Sequence, residues 1–293
     1  MKQASRTIHI VAPAGAVNKT AVKKGIEYLQ SLHFSFIEGS SLYAKDGYLA
    51  GIDSDRLSDL QSALDDTKSA AIWIARGGYG TTRIIDNIRW SKFLKNPRWI
   101  IGFSDITSLH IYLSNNNIPS IHGPMVAQAS DPTQKIALDL VASILNNNLP
   151  SYSLYSDKNN KTGKAKGKIT GGNLTLICSS LGTKSEIITD NKILFIEEIN
   201  EAAYRIDRML VQLKRAGKLK KLKGLIIGHM TNIAEEKEFG KSYIEIITDL
   251  VKEYSFPVCF QFPAGHETPN MPLILGMQSE LVVDKNEVKL RYL

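Results

Sequence analysis

Two short apolar runs limit what this chain can fold into more than any other feature. Residues 70–75, AAIWIA, and 99–103, WIIGF, each lead directly into a turn and then into a helical pattern. A strand that is apolar at nearly every position has to be covered on both faces, which calls for a central parallel strand between two layers of helix. The first half repeats this alternation. TIHIVA at 7–12 reads as a strand, and Asn18 can cap a helix that places Val22, Ile26, Leu29 and Leu32 on one face. FSFI at 34–37 reads as another strand. A helix from about Ser54 to Asp66 would bury Leu57, Leu60 and Leu64. Helices are also predicted from Thr81, presenting Ile84, Ile85 and Ile88, from Asp105 to Ser114, presenting Ile106, Leu109 and Leu113, and from Thr133 to Leu145. The expected class is α/β, a doubly wound parallel sheet. Such sheets carry their sites at the carboxyl ends of the strands, where RGGYG at 76–80 and Ser104 both fall.

The pattern changes after residue 145. Residues 146–168, NNNLPSYSLYSDKNNKTGKAKGK, are rich in Asn, Lys, Ser and Gly and show little apolar periodicity. They read as a linker with room for an exposed hairpin. Beyond it, Gly171-Gly172-Asn173 opens a helix, and ILFIE at 193–197 and GLIIGHM at 224–230 are strands. Between those strands a helix places Ile206, Met209, Leu210 and Leu213 on one stripe, and another helix spans about Lys241 to Glu253. The chain closes on a hairpin, Glu280–Asp284 with Glu287–Leu293. The expected organisation is a doubly wound N-terminal domain over 1–145, a linker over 146–168 and a smaller mixed α+β C-terminal domain over 169–293.

Composition narrows the function classes. With 293 residues, 43% of them hydrophobic and 22% charged, the chain can build a full core without staples. No apolar run reaches the roughly 18 residues needed to cross a bilayer. The stretch MKQASRTIHIVAPAGAV is broken by Pro13 and reads as a first strand rather than a leader. Cys178 and Cys259 are too few for a disulfide framework and read as reduced core residues. The expectation is a cytoplasmic protein without a membrane partner. Net charge is +7, with a dense run KRAGKLKKLK at 214–223. That run lacks the aromatics or module of a nucleic-acid binder and reads as a helix end followed by a basic turn, so no nucleic acid is expected.

Four chemistries can be tested against spacing. Gly78-Tyr79-Gly80 begins a dinucleotide fingerprint, but Arg83 stands where the third glycine should pack. Gly240-Lys241-Ser242 lacks the glycine of a phosphate loop five positions earlier, where Glu235 stands. His266-Glu267-Thr268-Pro269-Asn270 has no second histidine for a zinc helix, and Pro269 would break that helix. Neither a metal nor a cofactor is expected. The fourth chemistry is a serine hydrolase with Ser104 at a strand-to-helix turn. Ile106 is too large for the α/β-hydrolase elbow, so the geometry is at most analogous. A serine at such a junction is also a common helix cap. Six histidines are available as a base. Of these, His122 and His266 lie in loops with glycine and proline, from which a side chain can be aimed into a cleft.

RGGYG, GFSDIT, GGNLTLICSSLGT, FIEEINEAAYRIDRML and PAGHETPNMPLILG occur in this order and together resemble the LD-carboxypeptidase family. These are serine peptidases that also include the microcin C self-immunity proteins. The resemblance runs from APAG at 12–15 and AGIDSDRLSDL at 50–60 to the last strand. It implies a Ser104–Glu197–His266 triad in a cleft between the two domains. It also implies an oxyanion hole of backbone N–H groups from Asp105 and Gly78. The family has Glu-Asp at the end of its strand where this chain has Glu197-Glu198. Neighbours in a strand face opposite ways, so only one can reach the histidine, and alignment selects Glu197.

The implied reaction is removal of the terminal D-alanine from a cytoplasmic murein tetrapeptide, a small peptide substrate, during cell-wall recycling. The alternative within the family is hydrolysis of a peptidyl-nucleotide antibiotic. Self-immunity members carry an aromatic in an extra loop, and 146–168 holds tyrosines but no tryptophan. A homodimer is the state the family resemblance implies. A reading from another class is a non-catalytic protein whose glycine loops hold a phosphate or peptide.

Overall fold

The first half of the chain alternates strand and helix in the computed structural model, which describes residues 6–234 and 238–293. The start of the stretch weighed as a leader and Glu235 lie outside the described residues. The strands are β1 (Thr7–Val11), β2 (Ser35–Glu38), β3 (Ala71–Ile74), β4 (Trp99–Gly102) and β5 (Ser120–His122). Between and after them run α1 (Lys19–Ser31), α2 (Asp53–Asp65), α3 (Thr81–Ile84), α4 (Ser91–Lys95), α5 (Thr107–Asn115) and α6 (Lys135–Leu145). All the strand pairs among β1 to β5 are parallel. Every residue of β3 is buried, as a doubly covered strand requires. Asn18 caps α1, its Oδ1 accepting from the Ala21 N–H at 3.0 Å.

The second half adds β6 (Ser151–Tyr155), β7 (Gly163–Asn173), α7 (Leu174–Ser179), β8 (Ile193–Ile199), α8 (Ala203–Arg215), β9 (Gly224–Thr231) and α9 (Tyr243–Val251). It ends with β10 (Val258–Cys259), β11 (Leu273–Leu275), β12 (Gln278–Val283) and β13 (Glu287–Tyr292). Most of these strands form a sheet in the order β10-β9-β8-β7-β12-β13-β6. It is parallel from β10 to β7 and antiparallel from β7 to β6. The doubly wound sheet with a mixed partner is therefore the fold of this chain.

Two expectations about boundaries are corrected. Residues 146–168 are not merely a linker. They contain β6, the outer strand of the second sheet, and the first half of β7. Buried Tyr152 and half-buried Leu154 alternate with exposed Ser151, Ser153 and Tyr155, so a weak period of two was hidden among polar neighbours. Nor does the 169–293 segment stay in one sheet. β11 leaves it and pairs antiparallel with β5, Leu273 opposite His122, closing the first sheet in the order β11-β5-β4-β3-β1-β2. A strand of three residues is too short for any periodicity to reveal.

Smaller differences have similar causes. The helix expected from Thr81 is a single turn continued as a 3₁₀ segment, Ile85–Asn87. Ile84, Ile85 and Ile88 are nonetheless buried, because apolar spacing of three suits either geometry. The basic run at 214–223 ends α8 and is tied down by ion pairs of Lys214 with Glu253, Lys218 with Glu186 and Lys221 with Asp190. Both cysteines are free and buried, and burial pushes each thiol up to about 12. Among the described residues no helix is long and apolar enough to cross a membrane.

One polar bridge orients the helix after Ser104. His110 is fully buried on α5, with Nδ1 2.8 Å from Ser120 Oγ on β5 and Nε2 2.8 Å from the Gly102 carbonyl that ends β4. Burial pushes its pKa down to about 4, so the ring stays neutral and serves as a strut.

Candidate active site

β4 delivers the chain to Ser104 through extended Phe103, and Ser104 itself adopts φ +61° before a 3₁₀ turn feeds α5. A left-handed serine costs roughly 1–2 kcal/mol and turns its side chain away from the path of the helix. No side-chain cap hydrogen bond is made at the start of this 3₁₀ turn or of α5. The hydroxyl instead lies 3.2 Å from His266 Nε2. The strain gives a stability test. Ser104→Gly is expected to be about 1 kcal/mol more stable than Ser104→Ala, because only alanine keeps the left-handed penalty. Urea denaturation of the two variants measures the difference; equal midpoints would mean that the turn is unstrained.

The second half supplies the other two groups. Glu197 is fully buried near the end of β8, and its Oε2 lies 2.6 Å from His266 Nδ1. Opposite Glu197 the register with β9 slips: Ile196 pairs with Ile227, but Glu198 pairs with Met230. The extra residue is on β9, a bulge that re-aims the strand at this point. The His266 loop packs against it, with the His229 N–H donating to the Ala264 carbonyl at 2.8 Å. His229 Nδ1 accepts from the Glu267 N–H at 3.1 Å. Asn270 Oδ1 accepts from the Gly265 N–H at 2.9 Å, and the Asn270 N–H donates to Gln134 Oε1 at 2.9 Å. Gly265 has φ +133°, and a Cβ there would come within 3.1 Å of Glu197 Cβ, so glycine alone lets the loop approach the carboxylate.

Electrostatics favour a charged imidazole. Burial lowers the His266 pKa, but the hydrogen bond and charge of Glu197, with a smaller push from Glu198, outweigh it and leave the pKa above 6.5. Glu198 faces the other way. Its Oε1 accepts from Asn173 Nδ2 at 2.7 Å and its Oε2 from the Thr175 N–H at 2.8 Å, so it caps α7. Of the two glutamates that spacing left open, Glu197 is the one within hydrogen-bond distance of the histidine.

Of the residues expected at the oxyanion position, one shares a cavity with the serine and the other follows it in the chain. Gly78 lines the same cavity as Ser104 and His266, a cleft of about 610 Å³. Asp105 follows the serine and buries its carboxylate, with Oδ2 accepting from the Thr81 N–H at 2.8 Å, which couples the serine turn to the glycine loop. Burial raises the pKa of that carboxyl. Arg56, also buried, donates from Nη1 to the Gly80 carbonyl at 2.9 Å and to the Pro13 carbonyl, pinning the glycine loop from behind. Sequence reasoning missed Arg56, although the AGIDSDRLSDL block contains it. It also missed Asn270, although the PAGHETPN block contains it.

The remaining histidines are accounted for elsewhere. His122, weighed as a base, is fully buried in β5 with its ring 4.9 Å from that of Phe195, and burial holds its pKa well below 6.5. It takes no part in the hydrogen bonds to Ser104 or Glu197. His9 pairs with Asp66 at 2.8 Å, and His33 follows α1 in a left-handed turn. Among the described residues no group of three or more His, Cys, Asp or Glu could hold a metal.

Ser104 follows a strand of the first sheet and Glu197 lies on a strand of the second, and Gly172 lets those sheets meet. A Cβ at Gly172 would lie 2.4 Å from Thr107 Oγ1 at the start of α5, and that same oxygen accepts from the Asn173 N–H at 2.9 Å. The close approach brings the serine turn to the edge of β7, beside the strand that carries Glu197.

Two family models and several known proteins match this chain along most of its length. The LD-carboxypeptidase N-terminal domain model matches residues 8–123, and the LD-carboxypeptidase C-terminal domain model matches residues 166–281. A Bacillus subtilis protein described as "probable murein peptide carboxypeptidase" is 33% identical, over 94% of this chain and 88% of its own length. The microcin C7 self-immunity protein MccF of Escherichia coli is 25% identical, over 95% of this chain and 90% of its own length. Among solved structures, the muramoyltetrapeptide carboxypeptidase of Oxalobacter formigenes superposes with a TM-score of 0.85 at 27% identity, covering 98% of each chain.

Proposed function

Because the chain belongs to the LD-carboxypeptidase family, we propose that this serine carboxypeptidase removes the terminal D-alanine from murein tetrapeptides through Ser104, His266 and Glu197. The observation that carries the reading is the unbroken relay from Glu197 Oε2 through the imidazole to Ser104 Oγ, 2.6 Å and then 3.2 Å. His266 takes the hydroxyl proton as Ser104 attacks the amide carbonyl, and Glu197 holds the imidazole in the productive tautomer and steadies its charge. Backbone N–H groups of Asp105 and Gly78 stabilise the oxyanion. His266 then passes the proton to the departing amine, and in the second half activates the water that releases the acyl group. The proposal includes a cytoplasmic setting, where such tetrapeptides are recycled.

Supporting the murein reading over nucleotide release is the placement of the two tyrosines of the 146–168 stretch. Tyr152, in the stretch where a stacking aromatic was sought, is buried against Phe262, and Tyr155 is exposed on the far edge of the second sheet. Neither lines the cavity that holds Ser104. The deciding assay incubates the enzyme with murein tetrapeptide and, separately, with processed microcin. D-alanine should accumulate from the first with no nucleotide product from the second. Nucleotide release without D-alanine would reverse the assignment.

A further inference from the structure

The cleft contains a charge that the relay does not use. Of the described side chains lining it, Arg76 alone is permanently charged, and none is a carboxylate. Its Nη1 donates to the Ala16 carbonyl, and the guanidinium lies over the Tyr48 ring at 5.6 Å. Among the described residues no acid pairs with it. A half-buried guanidinium without a counter-ion is costly, and its five fixed donors match a carboxylate in bidentate fashion.

Its position relative to the nucleophile follows from the sheet. Trp73 on β3 pairs with Ile101 on β4, and Arg76 and Ser104 each come three residues later in their chains. Adjacent strands are about 4.8 Å apart, so the two residues emerge side by side at the carboxyl edge. Between them lies Gly77, where a Cβ would come 3.2 Å from Ser104 Cβ. In a peptide ending in a free amino acid, the terminal carboxylate is two bonds beyond the scissile nitrogen, within roughly 5 Å of the carbonyl carbon. A carboxylate in that position would meet the Arg76 fork while Ser104 attacks.

We propose that Arg76 is the anchor for the substrate's terminal carboxylate and thereby restricts cleavage to the last residue of a peptide. This rests on the carboxypeptidase reading above and goes further by assigning the leaving-residue side of the cleft. The glycine loop then holds two functions in sequence: Arg76 reads the leaving residue, and Gly78 faces the reacting carbonyl.

The test compares two tetrapeptides that differ only at the C-terminus, one a free acid and one the carboxamide. The wild-type enzyme is expected to favour the acid by about 10² in kcat/KM. In Arg76→Met the ratio should fall to within about threefold of one, chiefly through a raised KM for the acid. Arg76→Lys should recover part of the preference, since an ammonium keeps the charge but loses the fork. If Arg76→Met keeps the wild-type ratio, or loses both peptides in proportion, the anchor is wrong while the proposed reaction stands. If the wild type cleaves neither peptide, the reaction and the anchor both fall.

Discussion

Ser104→Ala is expected to lower turnover of a murein tetrapeptide by about 10⁶, and His266→Ala by a similar factor. The size follows from the roles proposed for the two groups. The hydroxyl is nucleophilic only while its proton can move to Nε2, 3.2 Å away, so loss of either partner removes the same step. The double variant should therefore be little worse than either single one, which separates a working relay from two independent contributions. Single-turnover release of D-alanine measures all three. Substrate affinity should change little, because neither group is needed to hold the ground state. Turnover within tenfold of wild type in Ser104→Ala would remove the serine from the mechanism.

Glu197→Gln should reduce turnover by about 10⁴ and also displace the pH profile. His266 must be neutral to accept the serine proton. Its pKa is raised above 6.5 mainly by Glu197, so wild-type activity climbs with pH through a value above 6.5. Removing the carboxylate's charge leaves burial dominant, the imidazole loses its proton more readily, and the acidic limb of kcat/KM moves to lower pH. Glu198→Gln should instead keep activity within about tenfold and cost stability, since its carboxylate holds the first turn of α7. An unchanged acidic limb in Glu197→Gln, or the large loss in Glu198→Gln, would reverse the two roles.

These residues also show what could be read without a structure. The strands before Arg76 and Ser104 were legible because a doubly covered strand has to be apolar throughout, as β3 is. The loop histidines were harder. Sequence pattern alone left His122 and His266 equivalent, because β5 is only three residues long and its burial depends on β4 and β11, partners distant in sequence. The family motif singled out His266 where local physics did not. Spacing alone could not tell the two glutamates apart and alignment selected Glu197; the β9 bulge and the α7 cap that separate their side chains are tertiary features. β6 failed for the opposite reason, a real alternation too short to stand out in a polar stretch.

The return of β11 to the first sheet has a consequence for when this enzyme becomes active. Synthesis runs from the N-terminus, so Ser104 and the glycine loop leave the ribosome long before Glu197 and His266. The pairing of Leu273–Leu275 with β5 and the Asn270–Gln134 hydrogen bond tie the segment carrying His266 to the half carrying the serine. A nascent chain that stops short of His266 would hold the proposed nucleophile without its proposed base. On the proposed mechanism, hydrolysis waits until the segment from His266 to β11 has been made and docked, so this docking serves as the activating step.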